Sequence, residues 1–103
     1  GASFVDVDVT VEVNQAEELL VLTLTIPYEQ IESIGGTING ADLNLADASS
    51  HGEGTVMTFH LPEGFYDLED GAFTLSISTI YGAHFTWLTD LKSDFHSRPF
   101  SSP

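Results

Sequence analysis

Residues 3–13 alternate, strictly so from Val5 onward. Val5, Val7, Val9, Val11 and Val13 share one parity, and Asp6, Asp8, Thr10 and Glu12 the other. Extended backbone points successive side chains to opposite faces, so the pattern predicts a half-buried β-strand with its valines inward. The next strand repeats the logic, with Leu20, Leu22, Leu24 and Ile26 inward and Val21, Thr23 and Thr25 outward. Behind Pro27, Ile31 and Ile34 lie three apart. That spacing predicts one short helical turn near 28–34, ended by Gly35 and Gly36. The stretch "TINGADLNLA" predicts a weaker strand with Leu43 and Leu45 inward, and "DASSHGEG" has the composition of a loop.

Alternation resumes in "TVMTFHL", which places Met57, Phe59 and Leu61 inward and Thr58 and His60 outward. "PEGFYDLEDG" reads as a connection whose Phe65, Tyr66 and Leu68 plug one end of the core. The last two strands form the clearest hairpin, with Phe73, Leu75 and Ile77 inward before the turn at Gly82 and Phe85, Trp87 and Leu91 inward after it. Six to seven short strands without a long amphipathic helix predict an all-β antiparallel sandwich, with a small barrel as the alternative. Residues 1–91 are expected to make one domain, and 92–103, which lose all periodicity, a mobile or surface-draped tail.

Charge adds a second layer. Lys92 and Arg98 are the only Lys or Arg residues against 16 acids, for a net charge of −14. A surface of this kind repels nucleic acid and anionic membranes and has no cations with which to clamp a phosphorylated substrate. Three roles remain for it: solubility, divalent-cation binding, or docking on a partner with a basic face. No apolar run reaches the roughly 18–20 residues of a membrane-spanning helix, so membrane insertion is not expected. Cysteine is absent, which removes disulfides, thiolate metal sites and a thiol nucleophile. A chain that begins with Gly1 rather than Met is expected of an excised domain, a processed mature form or a tagged product.

Leu68, Asp70, Gly71, Phe73, Thr74, Leu75 and Ile77 spell L-x-D-G-x-F-T-L-x-I. This stretch resembles one that recurs in the Ig-like domains of large bacterial surface proteins and adhesins. It covers about a tenth of the chain. The departure comes at the C-terminal end, where "TIYGAHFTWLTDL" stands in place of that family's D-x-x-G-N-like segment. The resemblance implies an Ig-like or fibronectin-III-like sandwich, and a non-catalytic spacer or binding module of a larger exported protein. Its location would be extracellular, cell-surface or periplasmic. Its partners would be neighbouring domains of the parent protein, or a protein or glycan ligand, and it would require no cofactor.

Candidate chemistry follows from residue types. Asp67, Glu69 and Asp70 share a turn-rich connection where carboxylates and carbonyls can converge on Ca²⁺. Asp6 and Asp8 are about 7 Å apart on one strand and serve better as a charged face that discourages edge pairing. Tyr66, Tyr81 and Trp87 are the aromatics suited to stacking on sugars; Trp87 has core parity, which leaves Tyr81 with its neighbour His84 as the ligand-binding candidates. The histidines His51, His60, His84 and His96 form no HxH or HExxH pattern, although His60 and His84 share outward parity and would meet if their strands were adjacent. No GxSxG elbow and no phosphate-binding glycine loop is present, and an enzyme is not expected.

One prediction follows from charge alone. Self-repulsion among the acids destabilises the compact state and is screened by salt. The melting temperature, read by circular dichroism, should therefore rise between low salt and about 0.5 M NaCl.

Overall fold

A computed structural model describes residues 7–92. They build eight antiparallel strands: β1 (Val9–Asn14), β2 (Leu19–Leu24), β3 (Ile31–Ile38), β4 (Ala41–Asp42), β5 (Leu45–His51), β6 (Gly54–His60), β7 (Ala72–Thr79) and β8 (His84–Asp90). Two four-stranded sheets result, ordered β1-β2-β6-β5 and β4-β3-β7-β8. They bury one shared core between them, so the barrel alternative is overturned. The expected 92–103 tail lies outside the described residues from 93 onward, as do Val5 and Asp6 at the start.

Registers turn the alternation into rows. On the inner face of the first sheet, Val11, Leu22, Met57 and Ala48 stand side by side, as do Val9, Leu24 and Thr55. Facing them on the second sheet are the rows Ile34–Ile77–Phe85, Gly36–Leu75–Trp87 and Ile38–Phe73. Phe59 crosses the gap. It meets Phe73 edge-to-face at 6.0 Å, and Phe73 meets Trp87 the same way at 6.3 Å. Thr55 is the buried polar side chain, and its hydroxyl donates to the Ile26 carbonyl at 2.6 Å. Burying a hydroxyl without such a partner is costly, which explains why this threonine is tolerated inside.

Several expectations need correction here. The 3₁₀ turn sits at Tyr28–Gln30, immediately after Pro27, while Ile31 and Ile34 belong to β3. Their spacing of three comes from a bulge: the register slips between Ile31 and Ser33, Glu32 is the extra residue, and both isoleucines reach the same side. Gly35 and Gly36 do not end an element but lie inside β3. A Cβ on Gly36 would come within 2.9 Å of the Phe59 ring, so the ring packs on bare backbone.

The strand number is eight rather than six to seven because "DASSHGEG" is a hairpin, not a loop. It joins β5 to β6 through Gly52-Glu53, with Gly52 at φ 61°. A second short hairpin was masked inside "TING". Asn39 and Gly40, at φ 52° and 85°, make the two-residue connection from β3 to β4 that needs left-handed backbone at both positions. Asn39 also anchors the start of β7: its Nδ2 donates to the Asp70 carbonyl at 2.8 Å and its Oδ1 accepts from the Ala72 amide at 3.0 Å. Leu45 is paired with inward Phe59 across a second bulge, between Leu45 and Asp47, but on the edge strand β5 it stays exposed rather than buried. Phe65 plugs the core as expected, but Tyr66 and Leu68 are exposed beside it.

The Gly36 contact can be measured. Gly36→Ala should cost about 1–3 kcal/mol in urea unfolding, because Phe59 must shift to admit the methyl group. In a Phe59→Leu background the cost should shrink, since the obstructing ring is gone.

Candidate functional site

The proposed calcium ligands fall in and after a second 3₁₀ turn, Phe65–Asp67, with Asp67, Glu69 and Asp70 all exposed. Among the described residues no three His, Asp or Glu side chains lie close enough to hold a metal ion. Asp8 and Glu12 are exposed along the β1 edge of the first sheet, as a charged strand face requires. His60 and His84 are both exposed but sit on different sheets, on β6 and β8, so the fold does not bring them together. Trp87 is half-buried against Phe73, in keeping with its core parity.

Tyr81 and His84 do share a place, the β7–β8 hairpin. Three residues, Ile80, Tyr81 and Gly82, link Thr79 to Ala83, with Gly82 at φ 84°. Tyr81 is 74% exposed at the tip and Ile80 is exposed beside it. His84 Nδ1 and Ser78 Oγ share a hydrogen bond at 3.0 Å, which fixes the imidazole on the outer face of the second sheet. That face is built of small polar groups in rows, Ser33–Ser78–His84, Gly35–Ser76–Thr86 and Thr37–Thr74–Leu88. In so acidic a chain, these three rows hold one carboxylate, Asp42, which β4 sets beside Thr37.

Carboxylates concentrate at one pole. The registers put the start of β1 and the ends of β2 and β7 at one end of the sandwich, and the end of β8 at the other. The latter end holds Glu17 and Glu18 in the β1–β2 turn, Asp42 on β4, and Glu63, Asp67, Glu69 and Asp70 between β6 and β7. Lys92 lies there too, its Nζ 4.4 Å from the centre of the Phe65 ring and 5.7 Å from that of Tyr66. The Tyr66 phenol is held above its ordinary 10.0, first by partial desolvation and then by the nearby Glu18 carboxylate, both of which oppose a second negative charge.

A lateral groove of about 390 Å³ opens between the two sheets at their β3 and β5 sides. Its floor is Ile31, Ile34, Leu45 and Ala48, its end wall Tyr28, and its rim includes Glu29 and Glu32. Both bulges contribute. Each strand carries two apolar residues three apart, Ile31 with Ile34 and Leu45 with Ala48, and the register slip on each strand lies between the members of the pair. Sequence reading missed this site because the same spacing on a single strand mimics a helical turn. Seeing it requires knowing that the two strands flank one gap.

Compared with family models, with curated proteins and with solved structures, the chain matches none of them.

The acidic pole yields a titration test. Because the phenolate is opposed only in the folded state, Tyr66 contributes stability that is complete below pH 10.0 and lost as pH rises through its folded pKa. Ultraviolet titration should show Tyr66→Phe removing a phenol that titrates above 10.0. Glu18→Gln should move that phenol downward.

Proposed function

We propose that this chain is a non-catalytic, Ig-like module of an exported or cell-surface protein, acting as a spacer that also binds. The observation carrying the proposal is the strand order. If the strands are lettered A, B, C, C′, D, E, F and G in chain order, the two sheets read A-B-E-D and C′-C-F-G, the arrangement of immunoglobulin-type sandwiches with a short extra edge strand. The order supports kinship of architecture only, since one such fold hosts many functions. The spacer role draws on a separate feature. The described chain enters at one pole and leaves at the opposite one, so copies linked end to end would extend rather than clump.

Binding draws support from surfaces rather than from a reactive centre. The groove, the Ser- and Thr-lined outer face of the second sheet with its hydrogen-bonded Ser78 and His84, and the exposed hairpin tip are all suited to a ligand. Brief protease treatment of intact source cells tests the location, with the released peptides identified by mass spectrometry. Peptides of this chain should appear in the shaved fraction while cytosolic marker proteins do not. Recovery confined to the cytosolic fraction of lysed cells would overturn the reading.

A further inference from the structure

We infer that the lateral groove receives an extended peptide strand of alternating apolar and basic residues, laid along the open edge of β3. The proposal deepens the reading of the chain as a binding module and rests on it. Edge geometry comes first. β4 pairs with β3 only at Thr37 and Ile38, and the Leu43 amide adds one last bond to the Gly36 carbonyl at 2.8 Å. After that the chain leaves for the other sheet, and residues 31–35 have β7 on one side and no strand on the other among the described residues. An added segment would take up the track that β4 abandons, using the backbone hydrogen bonding common to strand addition.

Apolar chemistry supplies the second argument. Beneath that track lie Ile31, Ile34 and Ala48, half-buried where the core reaches the surface, and Leu45 and Tyr28, exposed by 42% and 43%. Alternate side chains of an extended ligand point the same way, so its apolar set would meet this floor while the other set faces outward. The hydrophobic gain therefore requires a strand and not a helix.

Charge chooses the partner. Glu29 and Glu32 line the groove, and Lys92, the only Lys or Arg among the described residues, lies at the opposite pole. Glu32 is also the bulged residue, set on the edge itself. A bulge and a charge on an open edge discourage pairing between copies of the same chain. Against a second copy, with its own net charge of −14, the edge is repulsive. Lys or Arg at the outward positions of a ligand would meet these carboxylates instead, which accelerates encounter and excludes acidic competitors.

The test uses the whole chain and the fluorescein-labelled peptide Lys-Val-Lys-Ile-Lys-Val-Lys, with fluorescence polarisation as the readout. Saturable binding is expected. It should weaken about tenfold or more in Glu29→Lys/Glu32→Lys, and similarly in Leu45→Asp, whose side chain is exposed enough to change without unfolding the sandwich. Asp67→Lys/Glu69→Lys, at the other pole, should leave affinity within about twofold. A peptide with proline for isoleucine should bind worse, because it loses a backbone donor and the extended track. Amide shifts in ¹⁵N spectra should cluster at residues 31–36 and 45–48. Equal losses from both charge-reversed variants would mean attraction to overall charge and would overturn the proposal. So would shifts centred on β1 or β8, or no saturable binding. These measurements need only the purified chain, so their failure leaves the cell-shaving result standing, and a cytosolic location would not alter them.

Discussion

One contact governs the sandwich: the Phe59 ring of the first sheet seated on the bare backbone of Gly36 in the second. Facing sheets are held about 10 Å apart by interdigitating side chains. Here the large ring comes from one side and nothing but main chain from the other. Phe73 and Trp87 then close around the ring edge-to-face, extending the aromatic packing through the second sheet. Because β3 must present glycine at this point, it sacrifices strand propensity at its centre and relies on β7 for its order. Gly54 makes a related demand: a Cβ there would collide with the Leu24 carbonyl, so β2 and β6 can approach only across a residue without a side chain.

Burial must do nearly all the stabilising work in this chain. With Lys92 the only fixed cation in the described body, carboxylates cannot be arranged in networks of ion pairs, and each is better left in water. Turns and edges take them, which is why the β1–β2 turn and the β6–β7 connection form an acidic pole. The outer face of the second sheet carries mainly Ser, Thr and Gly on its central strands, with Asp42 and Asp90 out on the edge strands β4 and β8. Cross-strand neighbours stand about 5 Å apart, and like charges directly opposite one another are destabilising. Strands with no Lys or Arg to interleave have neutral residues as the remaining choice for a central, fully paired strand such as β7.

Much of this architecture was legible in the residues. The alternating Val, Leu, Met and Phe positions of β1, β2, β6 and β7 named the buried face correctly, because in a strand with one wet side parity and burial are the same fact. Legibility failed where the period breaks. Ile31 and Ile34 suggested a helical turn, since a bulge changes parity without leaving a residue signature, and Leu45 suggested a buried residue although it lies on an edge strand that leaves it exposed. "DASSHGEG" suggested a loop because a short, exposed edge strand needs no apolar alternation. The Asn39-Gly40 pair was the available signal for the extra hairpin, and its meaning was hidden by the glycines before it. Among the candidate ligands, Tyr81 and His84 do lie on one exposed hairpin, while the groove has no signature along the chain at all.

The residues by themselves determined an all-β chain, the inward set of each regular strand and a net charge of −14. Those properties are local or additive: side-chain alternation is set by extended backbone, and net charge by composition. Tertiary structure alone decided that the sheets pair as β1-β2-β6-β5 and β4-β3-β7-β8, that acids gather at one pole, and that Ile31, Ile34, Leu45 and Ala48 line one groove. These depend on which strands become neighbours. Distant segments compete for partners through burial that exists only after the two sheets have closed on Phe59 and Gly36.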